Sequence, residues 1–178
     1  MNFSFASFRS LILRLLLVGC ALTVMKTGVY AQDKVRRIDP DFEVRLFDHS
    51  IVQARDIQGK VAVIDFWATW CKPCLAEIPD YNGFYRRYKD KGVVLLGLAI
   101  DSGKEEKVLG AARRLNMEYP AGAPLKAEIK TIGKIRAFPT TWIIGPEGEI
   151  VREFVGVVSG KQEAIREMVD QLLAEKNR

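Results

Sequence analysis

The chain has 178 residues, with 27 basic and 22 acidic side chains, 48% hydrophobic residues, three cysteines and one histidine. That length suits one domain with one sizeable core and excludes a second. Three of the basic residues and no acid fall within residues 1–31, leaving 24 (27 − 3) against 22 and a net charge near +2, so the basic balance is no argument for nucleic-acid binding.

Those first 31 residues, with Arg9, Arg14 and Lys26 around an apolar run from Leu11 to Val24, read as an export signal. Three outcomes of it stay open. The chain is cut after Ala31, behind the small residues Val29 and Ala31; or Cys20 is lipidated within the lipoprotein-like Leu17-Val18-Gly19-Cys20; or the segment stays as an anchor, for which Leu15 to Met25 is short. Each puts the domain outside the cytoplasm, where disulfides persist. Residues 32–40 are charged, end at Pro40 and read as a linker, and residues 41–176 form the domain.

Phe42 to Leu46 alternates apolar and polar residues like a half-buried strand, and Ser50 to Ala54 completes a hairpin across Asp48-His49. After the Gly59-Lys60 turn, Val61 to Phe66 is an apolar strand interrupted only by Asp65. Cys74 to Lys89 carries Ile78, Tyr81, Phe84, Tyr85 and Tyr88 at helical spacing, with Pro79 expected to kink it. Val93 to Ile100 is apolar on both faces, which calls for helices on both sides of the sheet. Asp101-Ser102 is expected to cap a helix over Lys104 to Leu115, and residues 116–124 make a turn-rich connection. A short helix from Leu125 to Ile132, a hairpin of Thr140 to Ile144 with Ile150 to Phe154, and an amphipathic helix from Gln162 to Leu173 close the chain. The class is α/β.

The most specific signal is the run Val61 to Cys74, VAVIDFWATWCKPC, in which an apolar strand leads to two cysteines three apart at the start of a helix. Such a pair reads as a dithiol that cycles with its disulfide. Unpaired amides and the positive end of the helix dipole favour a thiolate at Cys71, whose sulfur is expected to be exposed and to attack. Lys72 adds positive charge, Pro73 stiffens the spacing, and the more buried Cys74 resolves the mixed disulfide. Asp65, in an apolar strand beneath the pair, is expected to have a raised pKa and to take the proton of Cys74, directly or through a water. The segment Ala137-Phe138-Pro139-Thr140-Thr141 suits a cis proline beside the sulfurs, leaving the Phe138 backbone to pair with an extended substrate. Trp70 offers an apolar platform to a partner chain, with Trp67 in the core. Glu77, three residues beyond Cys74, either modulates the thiols or lies on a solvated helix face. His49 is far from the cysteines in sequence, so a metal site is disfavoured, and nothing calls for a cofactor.

Residues 38–176 resemble the TlpA/ResA family of thioredoxin-like proteins. The resemblance rests on the N-terminal hairpin, DFWATWCKPC at 65–74, Glu77-Ile78-Pro79, the extra helical segment between Ile100 and Phe138, FPTT at 138–141, and the closing hairpin and helix. It implies a thioredoxin-like fold: a central mixed sheet flanked by helices, with an N-terminal β-hairpin and a helical insertion before the cis-proline strand. It further implies Cys71 as nucleophile, Cys74 as resolving cysteine, Pro139 as the cis proline, and a reductant of protein disulfides in the bacterial periplasm or outside the cytoplasmic membrane. Members commonly reduce, among others, apocytochrome c before haem attachment. A membrane thiol-transfer protein is the implied electron donor, and the protein is expected to be a monomer. Two positions depart from the family pattern: Asp65 stands where many cytochrome-maturation members have asparagine, and Lys72 where some have an acid. Three rivals remain, namely a dithiol oxidant of envelope proteins, a binding module with a static disulfide, and a thiol peroxidase. Against the last, Thr69 does not stand three residues before Cys71.

Overall fold

The computed structural model describes residues 35–176 and Arg178. The expectations for residues 1–31, Cys20 included, and for the linker up to residue 34 lie outside the described residues. The expected hairpin is formed by β1 (Glu43–Arg45) and β2 (Ile51–Gln53), antiparallel with Val44 opposite Val52. Val44 points into the core while Glu43 and Arg45 face solvent, as period-two alternation dictates. Ala54, expected to end the second strand, instead begins a short helix, α1 (Ala54–Ile57). The cause is local: the Gln53 amide donates to the Asp56 carboxylate at 2.8 Å, satisfying a helix-start donor that a strand would have left to a neighbour.

The central strand β3 (Val61–Trp67) is buried at all seven positions. It pairs in parallel with β4 (Val93–Ala99) and antiparallel with β6 (Thr140–Ile144), and β6 continues antiparallel to β7 (Ile150–Val155). A two-residue strand, β5 (Ala121–Gly122), pairs in parallel with β4 and gives the five-stranded mixed sheet the order β5-β4-β3-β6-β7. β5 lies in the connection read from sequence as turns, because two residues are too few to show a period.

Helices cover both faces of the sheet, as the apolar strands require. On one face, α2 (Lys72–Tyr88) and α5 (Lys161–Lys176) bury Ile78, Tyr81, Phe84, Ile165 and Val169 against Val61 and Val63. On the other, the hairpin, α1 and α4 (Lys126–Ile132) pack against Ala62, Ile64, Phe66, Leu96 and Leu98. Pro79 is accommodated inside α2, which runs unbroken past it. Residues 36–38, read as linker, dock along the sheet instead: Ile150 donates to the Arg36 carbonyl at 2.7 Å and Ile38 to the Gly148 carbonyl at 2.9 Å.

A further correction concerns Asp101-Ser102. The helix that follows, α3 (Glu105–Arg114), has Lys104 at its N-cap and no side-chain cap. Ser102 Oγ instead accepts from the Thr69 amide at 3.0 Å and donates to the Ile100 carbonyl at 3.1 Å, so it ties the end of β4 to the turn before the cysteines. Asp101 serves the same turn through its carbonyl, which receives the Trp70 indole N–H at 2.9 Å.

Gly97, level with Asp65 on the neighbouring strand, has a steric role. A Cβ there would lie 2.7 Å from the Tyr119 ring. Gly97→Ala is therefore expected to displace Tyr119 and cost about 1–3 kcal/mol in denaturant unfolding, a change that an unoccupied space would not produce.

Candidate active site

β3 ends at Trp67 and the chain turns through 68–70 into α2, with Cys71 as the N-cap in extended conformation. The Cys74 amide, an otherwise orphaned first-turn donor, points at Cys71 Sγ from 3.3 Å. Lys72 and Pro73 lie exposed between the cysteines, and the proline in the first turn forgoes an amide that has no helical acceptor. The two sulfurs are joined: S–S 2.03 Å, with Cα atoms 5.3 Å apart. An exposed Cys71 is not what the structure has. The residue keeps 5% of its surface and Cys74 1%, because both pack with Trp67, Ala68, Ala99 and Val108, with Phe138 against them.

The Phe138-Pro139 peptide is cis. It brings the β6 lead-in to the cysteines, where Phe138 meets the Trp70 ring edge-on at 5.5 Å between centroids. Trp70 is 61% exposed, held on one side by Phe138 and on the other by the Asp101 carbonyl, while Trp67 is wholly buried. The two tryptophans thus divide into rim and core.

Asp65 is 1% exposed and occupies the same face of β3 as Trp67, two residues on, toward the cysteine end. Tyr119 OH donates to its Oδ2 at 3.4 Å, and Oδ1 has no partner among the described residues. Burial pushes its pKa up to about 8; the Lys161 charge pulls it down, Glu77 pushes it further up, and the Tyr119 hydrogen bond lowers it. Tyr119 itself is held well above the usual phenol range by burial and by the Asp65 charge, so it acts as a donor.

Glu77 turns inward, and its partner is Lys161, the first residue of α5. Lys161 Nζ lies 2.5 Å from Glu77 Oε2 and 3.5 Å from Thr141 Oγ1, and Thr141 is the register neighbour of Asp65 on β6. Tyr81 OH completes the cluster at 2.6 Å from Thr141 Oγ1. Sequence reading missed Lys161, Tyr119, Thr141 and Tyr81. For Lys161 one signal existed: a cation at a helix start opposes the dipole and calls for a reason. Tyr119, in the turn-rich connection, carried none. Among the described residues no group of three or more His, Cys, Asp and Glu side chains is arranged to hold a metal ion.

Similarity to known proteins points the same way as this geometry. Residues 35–153 match the model of the AhpC/TSA family. The thiol-disulfide oxidoreductase ResA of Oceanobacillus iheyensis is 36% identical over 150 residues, covering 80% of this chain and 77% of the relative. ResA of Bacillus cereus is 29% identical over 158 residues, covering 87% and 90%. Among solved structures, a Chlorobium tepidum protein assigned as thiol:disulfide interchange protein DsbE superposes with a TM-score of 0.69 at 26% identity, over 79% of this chain and 98% of the other.

Proposed function

The chain belongs to the AhpC/TSA family and within it to the ResA-type thiol-disulfide oxidoreductases, and from that premise we propose that it works in the cell envelope as a reductant of protein disulfides. The observation that carries the exchange chemistry is the Cys71–Cys74 disulfide at the start of α2, packed against Trp67, with Asp65 buried on the same face of β3; the reductant direction and the envelope rest on the TlpA/ResA resemblance.

In the reduced protein the Cys71 thiolate, facing the Cys74 amide, attacks a substrate disulfide and expels one substrate thiolate. Cys74 then loses its proton to Asp65 and its sulfur attacks Cys71 Sγ, releasing the second substrate thiolate. The product is the Cys71–Cys74 disulfide, two electrons having passed to the substrate. Pro139 and the Phe138 backbone hold an extended substrate segment beside the sulfurs, Lys72 and Pro73 border it, and Trp70 supplies the apolar rim. Trp70→Ala is expected to raise KM for a disulfide peptide about threefold to tenfold with kcat nearly unchanged, since an exposed indole contributes to binding more than to bond exchange. Equal losses in kcat would place Trp70 in the chemistry instead.

A membrane thiol-transfer protein outside the cytoplasm returns the electrons, and the domain works as a monomer. The segment before residue 32 delivers it there, as a cleaved signal, through a lipid on Cys20 or as an anchor. The test is a comparison of rates: the reduced protein is offered insulin and hydrogen peroxide separately. Rapid oxidation of the Cys71-Cys74 dithiol by insulin, with peroxide slow, supports the proposal. The reverse ranking marks a thiol peroxidase, and no reaction with either leaves a binding module with a static disulfide.

A further inference from the structure

Lys161 is in an unfavourable place for a lysine. It is 3% exposed, so its ammonium has surrendered its water, and it sits at the first position of α5, against the positive end of that helix. Its compensation is one carboxylate, Glu77, plus a long hydrogen bond to Thr141 and the face of the Tyr81 ring at 5.9 Å. A buried ion pair of this kind adds little net stability, because desolvation offsets most of the attraction. Its position relative to Asp65 is more telling. Without Lys161, two carboxyls, Asp65 on β3 and Glu77 on α2, would face the same buried space with no cation between the sheet and the helix.

We propose that Lys161 is a positioning residue of the exchange reaction: it fixes the Glu77 carboxylate and brings a positive charge to Thr141 beside Asp65, and so sets the pH range in which Asp65 accepts the Cys74 proton. The inference rests on Asp65 being that acceptor. The groups facing Asp65 are Tyr119 from the segment before β5, Glu77 and Tyr81 from α2, Lys161 from α5 and Thr141 from β6. In the oxidised protein, Glu77 and Lys161 act on Asp65 by charge, with opposite effects. Removing the lysine leaves Glu77 alone to oppose ionisation of Asp65, whereas removing both charges leaves Asp65 close to where it started.

The experiment is the pH profile of insulin reduction by the full-length protein and four variants, with the Asp65 carboxyl followed in parallel by 13C NMR of the oxidised form. Lys161→Met is expected to move both the rising limb and the carboxyl titration up by about one pH unit, a roughly tenfold loss at pH 7 that is recovered at higher pH. Lys161→Arg keeps the profile, and the double variant Glu77→Gln/Lys161→Met, which buries no lone charge, returns the limb toward its original position. A Lys161→Met protein that melts earlier but keeps limb and titration in place would make the pair purely structural and overturn the proposal. So would a double variant displaced as far as the single one. The fourth variant, Asp65→Asn, separates the two claims. If it removes the limb while Lys161→Met leaves it fixed, only the role of Lys161 falls; if it leaves the limb intact, the role of Asp65 falls, and that of Lys161 with it.

Discussion

Replacing Cys71 with serine is expected to stop disulfide reduction, by more than about a thousandfold, since a hydroxyl at the same N-cap stays protonated and is a far poorer nucleophile than a thiolate. Cys74→Ser is expected to behave differently. Its first step needs only Cys71, so it stalls as a mixed disulfide that non-reducing electrophoresis reveals as a protein–substrate adduct. The asymmetry follows from the structure: Cys71 caps the helix and receives the Cys74 amide, whereas Cys74 lies one turn in at 1% exposure. Adducts accumulating in Cys71→Ser, and none in Cys74→Ser, would reverse the assignment.

Asp65→Asn is expected to act in two directions. Insulin reduction at pH 7 falls about a hundredfold, the size of a general-base contribution, and the rising limb set by ionisation of Asp65 disappears. Stability, by contrast, improves. The folded carboxyl titrates at about 8 against an ordinary 3.8, so between those values the folded protein keeps a proton that the unfolded chain has lost. Stability conferred by the protonated form is thus complete below about pH 4 and drains away as pH rises through about 8. The asparagine variant has no such loss, and at pH 9 it is expected to exceed the parent by about 3 kcal/mol or more in urea unfolding of the oxidised proteins. Parallel stability–pH curves for the two would mean that Asp65 ionises normally and is not the buried acid described here.

How much of this the sequence disclosed depends on the kind of signal each element sends. Val61–Trp67 and Val93–Ala99 were legible because strands buried on both faces have to be apolar throughout, and one aspartate among such residues stands out. The N-terminal hairpin showed its alternation, and α2 showed its aromatic stripe. The short elements α1 and β5 were not legible, since four residues and two residues cannot establish a period. Ser102 was misassigned for a related reason. A serine before a helix is equally suited to capping it or to holding the preceding turn, and here the Thr69 amide took it. In the site, the cysteines, Asp65 and the cis Pro139 had spacing and context behind them. Glu77 was undecided between two faces because its partner lies on α5, 84 positions away in the chain. Tyr119 carried no signal, because its ring reaches Asp65 only where Gly97 lacks a side chain, whereas Lys161 carried one in its cation at a helix start.

The direction of electron flow is the central claim, and the equilibrium reduction potential of the Cys71-Cys74 pair in glutathione buffers tests it most directly. A value near or below about −250 mV is predicted, in the range of a thioredoxin-like reductant. A value near about −120 mV would contradict the account and mark a protein that inserts disulfides into its partners.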